Sequence, residues 1–153
     1  MDLGAGIGDY TLIASLKVGN KGKVIAVEPD SESFSLLVKN IRENKLQNVI
    51  PLNAAVSNKN EKRNNIFFTT IDSIAKNLKL KKVNIMKMDI EGFEYLALLG
   101  AKRTLIRSRP KLVIEIHSPA IKRKISKFLN SLNYKLCFET HKTKINFFIS
   151  YFS

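Results

Sequence analysis

The chain has 153 residues, a length suited to a single domain with one hydrophobic core. Its composition is 44% hydrophobic, which is typical of a globular protein and excludes a disordered chain. No apolar run approaches the roughly 20 residues that a membrane span requires, and the first residues do not resemble a signal peptide. Because the single cysteine, Cys137, cannot form an internal disulfide, we predict a cytoplasmic protein.

Basic residues outnumber acidic residues by 26 to 13, so the net charge is +13. This charge fits a nucleic acid, anionic lipid or an acidic substrate as partner, and it equally fits a lysine-rich surface that only maintains solubility. Eight of the acids nevertheless lie at or just after predicted strand ends: Asp2, Asp9, Glu28, Asp30, Asp89, Glu91, Glu94 and Glu115. Carboxylates gathered at one edge of a basic protein indicate a site for a cationic or hydroxyl-rich ligand.

In the first half of the chain, short apolar runs alternate with helical periodicity. Residues 23–28 and 49–56 are predicted as buried strands. Apolar residues between them recur at helical spacing, and Asp30 or Ser31 is placed to cap that helix. The polar stretch 57–65 is predicted as a loop or hairpin tip.

The second half continues the alternation with predicted strands at 83–89 and 111–117. Residues 93–106 between them are expected to form a helix, with a break near Gly100. A further helix is expected from 118–119, where serine is placed as the cap and proline at the first helical position.

The last segments, 134–140 and 145–152, are predicted to form an antiparallel hairpin joined by a short polar turn. Alternation of helices with continuous Val/Ile/Leu strands predicts an α/β fold, a Rossmann-like doubly wound and mostly parallel sheet covered on both faces. The hairpin is expected to add an antiparallel strand at one edge. No domain boundary is evident, so residues 1–153 are expected to form one domain.

The chain begins MDLGAGIG, with alternate glycines at Gly4, Gly6 and Gly8. Glycines after a strand let the backbone approach a ligand closely. A dinucleotide-binding G-x-G-x-x-G sequence would need glycine at position 9, where Asp9 stands. Glu28 ends the next strand, where an acid can accept hydrogen bonds from ribose hydroxyls. We interpret the glycine turn and Glu28 together as a binding site for a nucleoside that carries no phosphate. The alternative is an ordinary turn beside a solvated carboxylate.

The DLGAGIG run looks like the first motif of class I S-adenosylmethionine-dependent methyltransferases, and three segments (69–74, 85–101 and 109–117) resemble the FkbM type. The hallmark of that type is Lys-x-Asp-x-Glu-Gly-x-Glu leading to Gly-Ala, followed by a strand ending Glu-x-His. Here these residues are Lys87, Asp89, Glu91, Gly92, Glu94, Gly100, Ala101, Glu115 and His117. The resemblance covers residues 2 to about 117. It implies the class I methyltransferase fold and methyl transfer from S-adenosylmethionine, commonly to a hydroxyl of a small molecule or sugar.

The expected cofactor-binding residues lie in the glycine turn and after the second and third strands: Asp2, Gly4, Ala5, Gly6, Gly8, Glu28, Pro29, Asn53 and Ala54. The residues after the third strand would by position line the adenine pocket, and ordinary strand-end residues are the alternative.

A hydroxyl acceptor must lose its proton during methyl transfer, so a general base or a metal is useful. The candidates for either role are Asp89, Glu91, Glu94, Glu115 and His117, and all except Glu94 are assigned as catalytic candidates. The last two alternate on one strand and share a face, and histidine is the side chain whose ordinary pKa lies nearest neutrality. The alternatives are a helix cap at Asp89, an acidic first helical turn at Glu91 and Glu94, and packing at His117. Their spacing is not diagnostic of Mg²⁺ or Mn²⁺, so no metal ligand is assigned.

Basic residues cluster between positions 102 and 127 around the single acid Glu115: Lys102, Arg103, Arg107, Arg109, Lys111, Lys122, Arg123, Lys124 and Lys127. They are either solvated helix faces or a surface for RNA or an anionic glycan. No aromatic residue is interleaved among them, which weakens the RNA interpretation.

Only three residues precede the glycine turn, where a strand of about five is expected. We therefore expect a truncated first strand in a domain that lacks its N-terminal portion. The favoured function is O-methylation of a small-molecule or carbohydrate hydroxyl. The alternatives are an RNA methyltransferase on the same fold and a truncated, inactive nucleoside-binding domain. Oligomeric state is not predicted.

Overall fold

The computed structural model describes residues 1–142 and 147–152. Its strands are β1 (Asp2–Leu3), β2 (Val24–Val27), β3 (Val49–Leu52), β4 (Ala55–Val56), β5 (Glu61–Arg63), β6 (Ile66–Thr69), β7 (Ile85–Met88), β8 (Lys111–Ile116), β9 (Leu136–Lys142) and β10 (Phe147–Phe152). Its helices are α1 (Asp9–Val18), α2 (Ser31–Glu43), α3 (Ile71–Asn77), α4 (Glu94–Leu99), α5 (Lys102–Ser108) and α6 (Pro119–Ser131).

Seven strands of the described residues form one sheet in the order β3-β2-β1-β7-β8-β10-β9. The five strands from β3 to β8 are parallel, and β10 runs antiparallel to both of its neighbours. The chain winds outward from β1 to β3 and then returns to the other side of β1 at β7. This reversal opens a crevice at the carboxyl ends of β1 and β7, where ligands bind in such sheets. The predicted doubly wound, mostly parallel fold is confirmed.

Both faces of the sheet are covered, and β2 illustrates how its sequence achieves this. All four of its residues are buried. Ile25 and Val27 pack into the larger core on one face, whereas Val24 and Ala26 pack with Leu37 of α2 on the other. A strand in this position must be apolar at every residue, because successive side chains point to opposite faces.

The first strand is short, with two residues, as expected from the sequence, and it is the middle one of the five parallel strands. Asp2 is in register with Ala26 on one side and with Lys87 on the other. Backbone bonds extend this pairing on the β7 side, where the carbonyl of Leu3 accepts from the N–H of Asp89 at 3.0 Å.

The prediction of one strand over 49–56 is wrong, because the segment forms two strands that belong to different sheets. β3 ends at Leu52, and β4 joins β5 and β6 in a three-stranded sheet of its own. Asn53 lies at the break, where its side-chain amide donates to the backbone carbonyls of Glu28 at 2.9 Å and Pro29 at 3.2 Å. These bonds turn the chain away from β2, and the continuous apolar pattern gave no sign of it.

The other predicted elements have the following outcomes. The break near Gly100 separates α4 from α5. The stretch 57–65 contains β5 and the tip of its hairpin with β6, where Asn64 and Asn65 have positive φ angles of 48° and 62°. The C-terminal hairpin is antiparallel as predicted, but it adds two strands to the edge. Its predicted turn and the start of its second strand fall partly on residues 143–146, outside the described residues.

Two predicted helix caps are confirmed. The Asp30 carboxylate accepts from the N–H of Ser33 at 2.8 Å, which begins α2 and lowers the pKa of Asp30. The Ser118 hydroxyl accepts from the N–H of Ile121 at 3.1 Å, and Pro119 is the first residue of α6. Within the described part of the chain, no helix combines the length and the apolar character needed to cross a bilayer.

Candidate active site

The glycine turn, residues 4–8, joins β1 to α1 at the crevice. Gly4 has a φ of +74°, and a Cβ atom there would lie 1.8 Å from the carbonyl oxygen of Asp89. The turn is therefore packed directly against the backbone that follows β7. Gly6 has a φ of +53°, but a Cβ there would meet no atom within 4 Å. The crevice is thus open on the side of Gly6 and closed behind Gly4.

The Glu28 side chain faces the glycine turn from the end of β2 and is 8% exposed. One carboxylate oxygen accepts from the N–H of Gly6 at 2.8 Å, and the other accepts from the N–H of Asp30 at 3.0 Å. These two bonds hold the carboxylate in one orientation. Because each oxygen can accept a second bond, Glu28 can still receive hydroxyl donors from a ligand.

A cleft of about 670 Å³ opens above these groups, a size suited to a small-molecule or cofactor site. Its lining consists of Gly4, Gly6, Val27, Glu28, Pro29, Ala54, Ala55, Val56, Arg63, Asn64, Ile66, Phe68, Asp89, Ile90, Glu91 and Phe93. The lining therefore combines the acidic edge of the parallel sheet with an apolar wall.

Seven of the residues selected from the sequence line the cleft: Gly4, Gly6, Glu28, Pro29, Ala54, Asp89 and Glu91. Four others support the lining from outside it: Asp2, Ala5, Gly8 and Asn53. The buried Asp2 accepts from the Thr11 hydroxyl at 2.6 Å, and Ala5 belongs to the core that contains Leu37. Direct cofactor contact by these four residues stays a prediction.

The hairpin of β5 and β6 supplies a wall of the cleft that the sequence analysis missed. Arg63, Ile66 and Phe68 of this hairpin line the cleft together with Phe93. The Phe68 ring lies 6.1 Å from the Phe93 ring and 4.9 Å from the guanidinium carbon of Arg63. The available signal was a pair of apolar residues, Ile66 and Phe67, next to a polar turn; both are partly exposed, at 38% and 53%.

Lys87 links the glycine turn to the strand that carries Asp89. Its ammonium donates to the carbonyl of Gly4 at 2.9 Å and lies 3.3 Å from a carboxylate oxygen of Asp2. A carboxylate oxygen of Asp89 lies 4.0 Å from the same nitrogen. The single positive charge of Lys87 therefore contacts both the glycine turn and Asp89.

Three of the four catalytic candidates converge at the carboxyl ends of β7 and β8. His117 Nε2 lies 3.9 Å from Asp89 Oδ1 and 3.7 Å from Glu115 Oε1. The predicted shared face of Glu115 and His117 therefore brings both side chains toward Asp89. Glu91 lines the cleft apart from this cluster, on an exposed turn with a positive φ of 44°.

Glu94 contacts His117 from its other side; the sequence left both a catalytic role and an acidic first helical turn open for this residue. Glu94 is fully buried, and its Oε1 lies 3.3 Å from His117 Nδ1. The same oxygen accepts from the N–H of Gly92 at 2.9 Å. A carboxylate at Nδ1 favours the tautomer with the proton on that nitrogen, which leaves the Nε2 lone pair directed toward Asp89 and Glu115.

Two family models match parts of this chain. The model described as the methyltransferase FkbM domain matches residues 68–136, which contain the cluster around His117. The model described as the TRM5/TYW2 methyltransferase domain matches residues 1–79, which contain the glycine turn and Glu28.

A solved structure has the fold of this chain. The methyltransferase FkbM from Methylobacillus flagellatus KT matches 99% of this chain with a TM-score of 0.83 and 24% sequence identity. Together with the family model over residues 68–136, this likeness confirms the resemblance to FkbM methyltransferases inferred from the sequence motifs. The chain spans 42% of the length of the Methylobacillus protein.

Other proteins share the fold or a short segment with this chain. Fibrillarin from Aeropyrum pernix was solved with S-adenosyl-L-methionine bound. The match covers 99% of this chain and 64% of the fibrillarin chain, with a TM-score of 0.71 and 17% identity. A Sulfurisphaera tokodaii protein named "Probable cobalt-precorrin-6B C(15)-methyltransferase (decarboxylating)" is 46% identical over 50 residues. Those residues are 33% of this chain and 26% of that relative.

Proposed function

We propose that this domain binds S-adenosylmethionine in the glycine-lined cleft and transfers its methyl group to a hydroxyl of a small molecule or sugar. One observation carries the proposal: Asp89 lines the cleft and also belongs to the cluster around His117. A donor bound in the cleft would therefore lie beside groups able to act on an acceptor.

The cleft offers complementary groups to each part of the cofactor. Glu28 can accept the ribose hydroxyls, since the two backbone N–H groups that it already binds leave lone pairs on both oxygens. The apolar side chains of Ala54, Val56 and Ile90 suit the faces of the adenine ring. The Asp89 carboxylate gives the sulfonium cation a negative neighbour.

Methyl transfer to a hydroxyl is an in-line displacement. The acceptor oxygen forms a bond to the methyl carbon while the carbon–sulfur bond breaks. The electron pair of the broken bond remains on the sulfur, which gives a neutral thioether product. The hydroxyl proton passes to a basic group of the cluster formed by Asp89, Glu115 and His117. Alignment of the three reacting atoms supplies several kcal/mol of the reduction in barrier, and the base contributes about 10²–10⁴-fold.

Calorimetric titration with S-adenosylmethionine and S-adenosylhomocysteine tests the proposal. We expect micromolar binding by the wild-type protein and binding weaker by about tenfold or more in Glu28→Ala, because a charged hydrogen-bonding partner is lost. Glu32→Ala, which changes an exposed carboxylate on α2, is the matched control and should bind as the wild type does. Wild-type protein that is folded and binds neither compound would contradict the proposal.

RNA is the second candidate acceptor, and a basic groove favours it. A groove of about 790 Å³ lies between α3 and α5. Five of its lining residues are cationic and exposed: Lys76, Lys79, Lys81, Arg103 and Arg107. The acid Asp72 also lines it, but its carboxylate accepts from two backbone N–H groups of α5 and from the Thr104 hydroxyl. The groove thus offers positive charge to a phosphate backbone.

A further inference from the structure

We propose that Asp89, Glu115 and His117 form a binding site for a divalent cation, with Mn²⁺ as the best-suited ion. The inference rests on the proposed function, because it assigns the activation of the acceptor hydroxyl to that cation. The spacing of these residues along the chain gave no reason to assign them as metal ligands, but their arrangement in the folded structure does.

The geometry of the three side chains matches a set of metal ligands. One ligand atom from each of Asp89, Glu115 and His117 can be chosen so that all three lie within 4.8 Å of one another. Bonds of about 2.0–2.6 Å from a divalent ion to oxygen or nitrogen place neighbouring ligand atoms roughly 3–4 Å apart and opposite ones up to about 5 Å apart. The separations of 3.7 and 3.9 Å from His117 Nε2 fall within this range.

Glu94 provides a second and independent observation. Its side chain is fully buried, and its Oε2 has no hydrogen-bond partner among the described residues. A buried carboxylate is costly unless positive charge lies nearby. Glu94 meets His117 on the Nδ1 side, opposite the nitrogen that faces Asp89 and Glu115. A carboxylate that holds the second nitrogen of a metal-binding histidine is the usual outer partner of such sites.

The charge of the cluster also favours a cation. Three carboxylates, from Asp89, Glu94 and Glu115, surround the single imidazole of His117. The ammonium of Lys87 lies 4.0 Å from Asp89 but 3.3 Å from Asp2, so it is shared between two carboxylates. A bound divalent ion reduces the repulsion among the carboxylates and lowers the cost of burying Glu94.

The ligand types narrow the choice of ion. Two carboxylates and one imidazole make a harder donor set than the thiolate-rich sites that select zinc, and Mn²⁺ accepts both oxygen and imidazole ligands. Three protein ligands would leave room for an acceptor oxygen and for water. The ion would polarise the acceptor hydroxyl, and the hydroxyl proton would pass to a carboxylate oxygen of Asp89 or Glu115 that does not bind the ion.

Titration of the metal-free protein with Mn²⁺ tests the proposal, with free Mn²⁺ followed by its electron paramagnetic resonance signal. We expect one bound ion per chain. Loss of an outer partner of a metal ligand typically weakens metal binding by roughly 10–100-fold, so we expect an effect of about that size for Glu94→Gln. Loss of a direct ligand in Glu115→Gln or His117→Asn should weaken Mn²⁺ binding by at least as much. The control Glu32→Gln, on the exposed surface of α2, should bind Mn²⁺ as the wild type does.

Circular dichroism of each variant establishes that it is folded before its affinity is interpreted. The metal site is overturned if the folded wild-type protein does not bind Mn²⁺. It is also overturned if Glu115→Gln and His117→Asn bind Mn²⁺ as tightly as the control Glu32→Gln. Titration with S-adenosylmethionine in the presence of a chelator separates this result from failure of the proposed function, since the cleft contains Glu28 whether or not the ion binds. Cofactor binding without Mn²⁺ binding contradicts only the metal site.

Discussion

The ammonium of Lys87 lies 3.3 Å from the carboxylate of Asp2, and both groups are largely inaccessible to solvent, with 19% and 4% of their side chains exposed. The pair connects β7 to β1 at the centre of the sheet. Because the same ammonium donates to the carbonyl of Gly4, the ion pair also fixes the start of the glycine turn. The geometry of the glycine turn beside the cleft thus depends on one buried charge pair behind it.

Replacement of Lys87 by methionine should destabilise the protein by about 3 kcal/mol, because it leaves the buried Asp2 carboxylate without its cation. The matched control is Lys59→Met. Lys59 pairs with Glu61 at 2.8 Å, but its side chain is 65% exposed, so its loss should cost less than about 1 kcal/mol. Urea denaturation of the two variants measures the difference. Equal losses of stability would show that Lys87 does not compensate Asp2.

Alanine at two positions of the glycine turn should have different effects. At Gly4 the new Cβ would collide with the carbonyl of Asp89. We therefore expect Gly4→Ala to lower the free energy of unfolding by more than about 2 kcal/mol, which exceeds the cost of the left-handed backbone conformation alone. At Gly6 the Cβ meets open space, and we expect only the backbone cost of about 1–2 kcal/mol. Because that Cβ would point to where a ligand binds, Gly6→Ala should weaken cofactor binding. Denaturation curves and calorimetry together check both expectations.

Substitution of His117 by asparagine should separate chemistry from cofactor binding. His117 does not line the cleft, so S-adenosylmethionine should bind to His117→Asn with an affinity close to that of the wild type. Turnover with an acceptor found by screening should fall by about 10²–10⁴-fold, whether the residue acts as a base or holds an ion. Single-turnover rates and calorimetry measure the two effects. A variant with wild-type turnover would remove His117 from the mechanism.

The Asp30 cap predicts a pH dependence of stability at the acidic end. The N–H of Ser33 holds the pKa of Asp30 below its usual value of 3.8, so the folded state favours the ionised form. The stabilisation is therefore present above the usual pKa and is lost as the pH falls through the lowered value. Asp30→Asn retains a capping side chain that does not titrate. The difference in melting temperature between wild type and variant should be constant above about pH 5 and change below about pH 4.

The basic groove predicts how RNA binding would respond to salt. If the groove binds a phosphate backbone, the affinity for a labelled RNA oligonucleotide should fall steeply as salt rises. Replacing Arg103 and Arg107 by glutamate should weaken binding and flatten that salt dependence. Lys17→Glu combined with Lys21→Glu, two exposed positions outside the groove, serves as the charge-matched control. The RNA alternative fails if fluorescence anisotropy detects the same affinity and salt dependence in all three proteins.

Features carried by neighbouring residues were predictable from the sequence. The apolar strands, the caps at Asp30 and Ser118, and the break at Gly100 all follow from rules that act within a few residues. The motif-based resemblance to FkbM methyltransferases is matched by the family model over residues 68–136. Glu28 was singled out by its place at the end of the strand after the glycine turn, and it is held in the cleft by the N–H of Gly6.

The sequence alone therefore determined the alternation of the main parallel strands with helices, the class of fold and the edge of the sheet where the acids gather. Only the tertiary structure decided that the chain turns away at Asn53, that the β5–β6 hairpin walls the cleft, and that Glu94 meets the imidazole of His117. Glu94 and His117 are 23 residues apart and lie on either side of α5 and β8. Contacts of this kind depend on how helices and strands pack across the sheet, and no periodicity along one element encodes that packing.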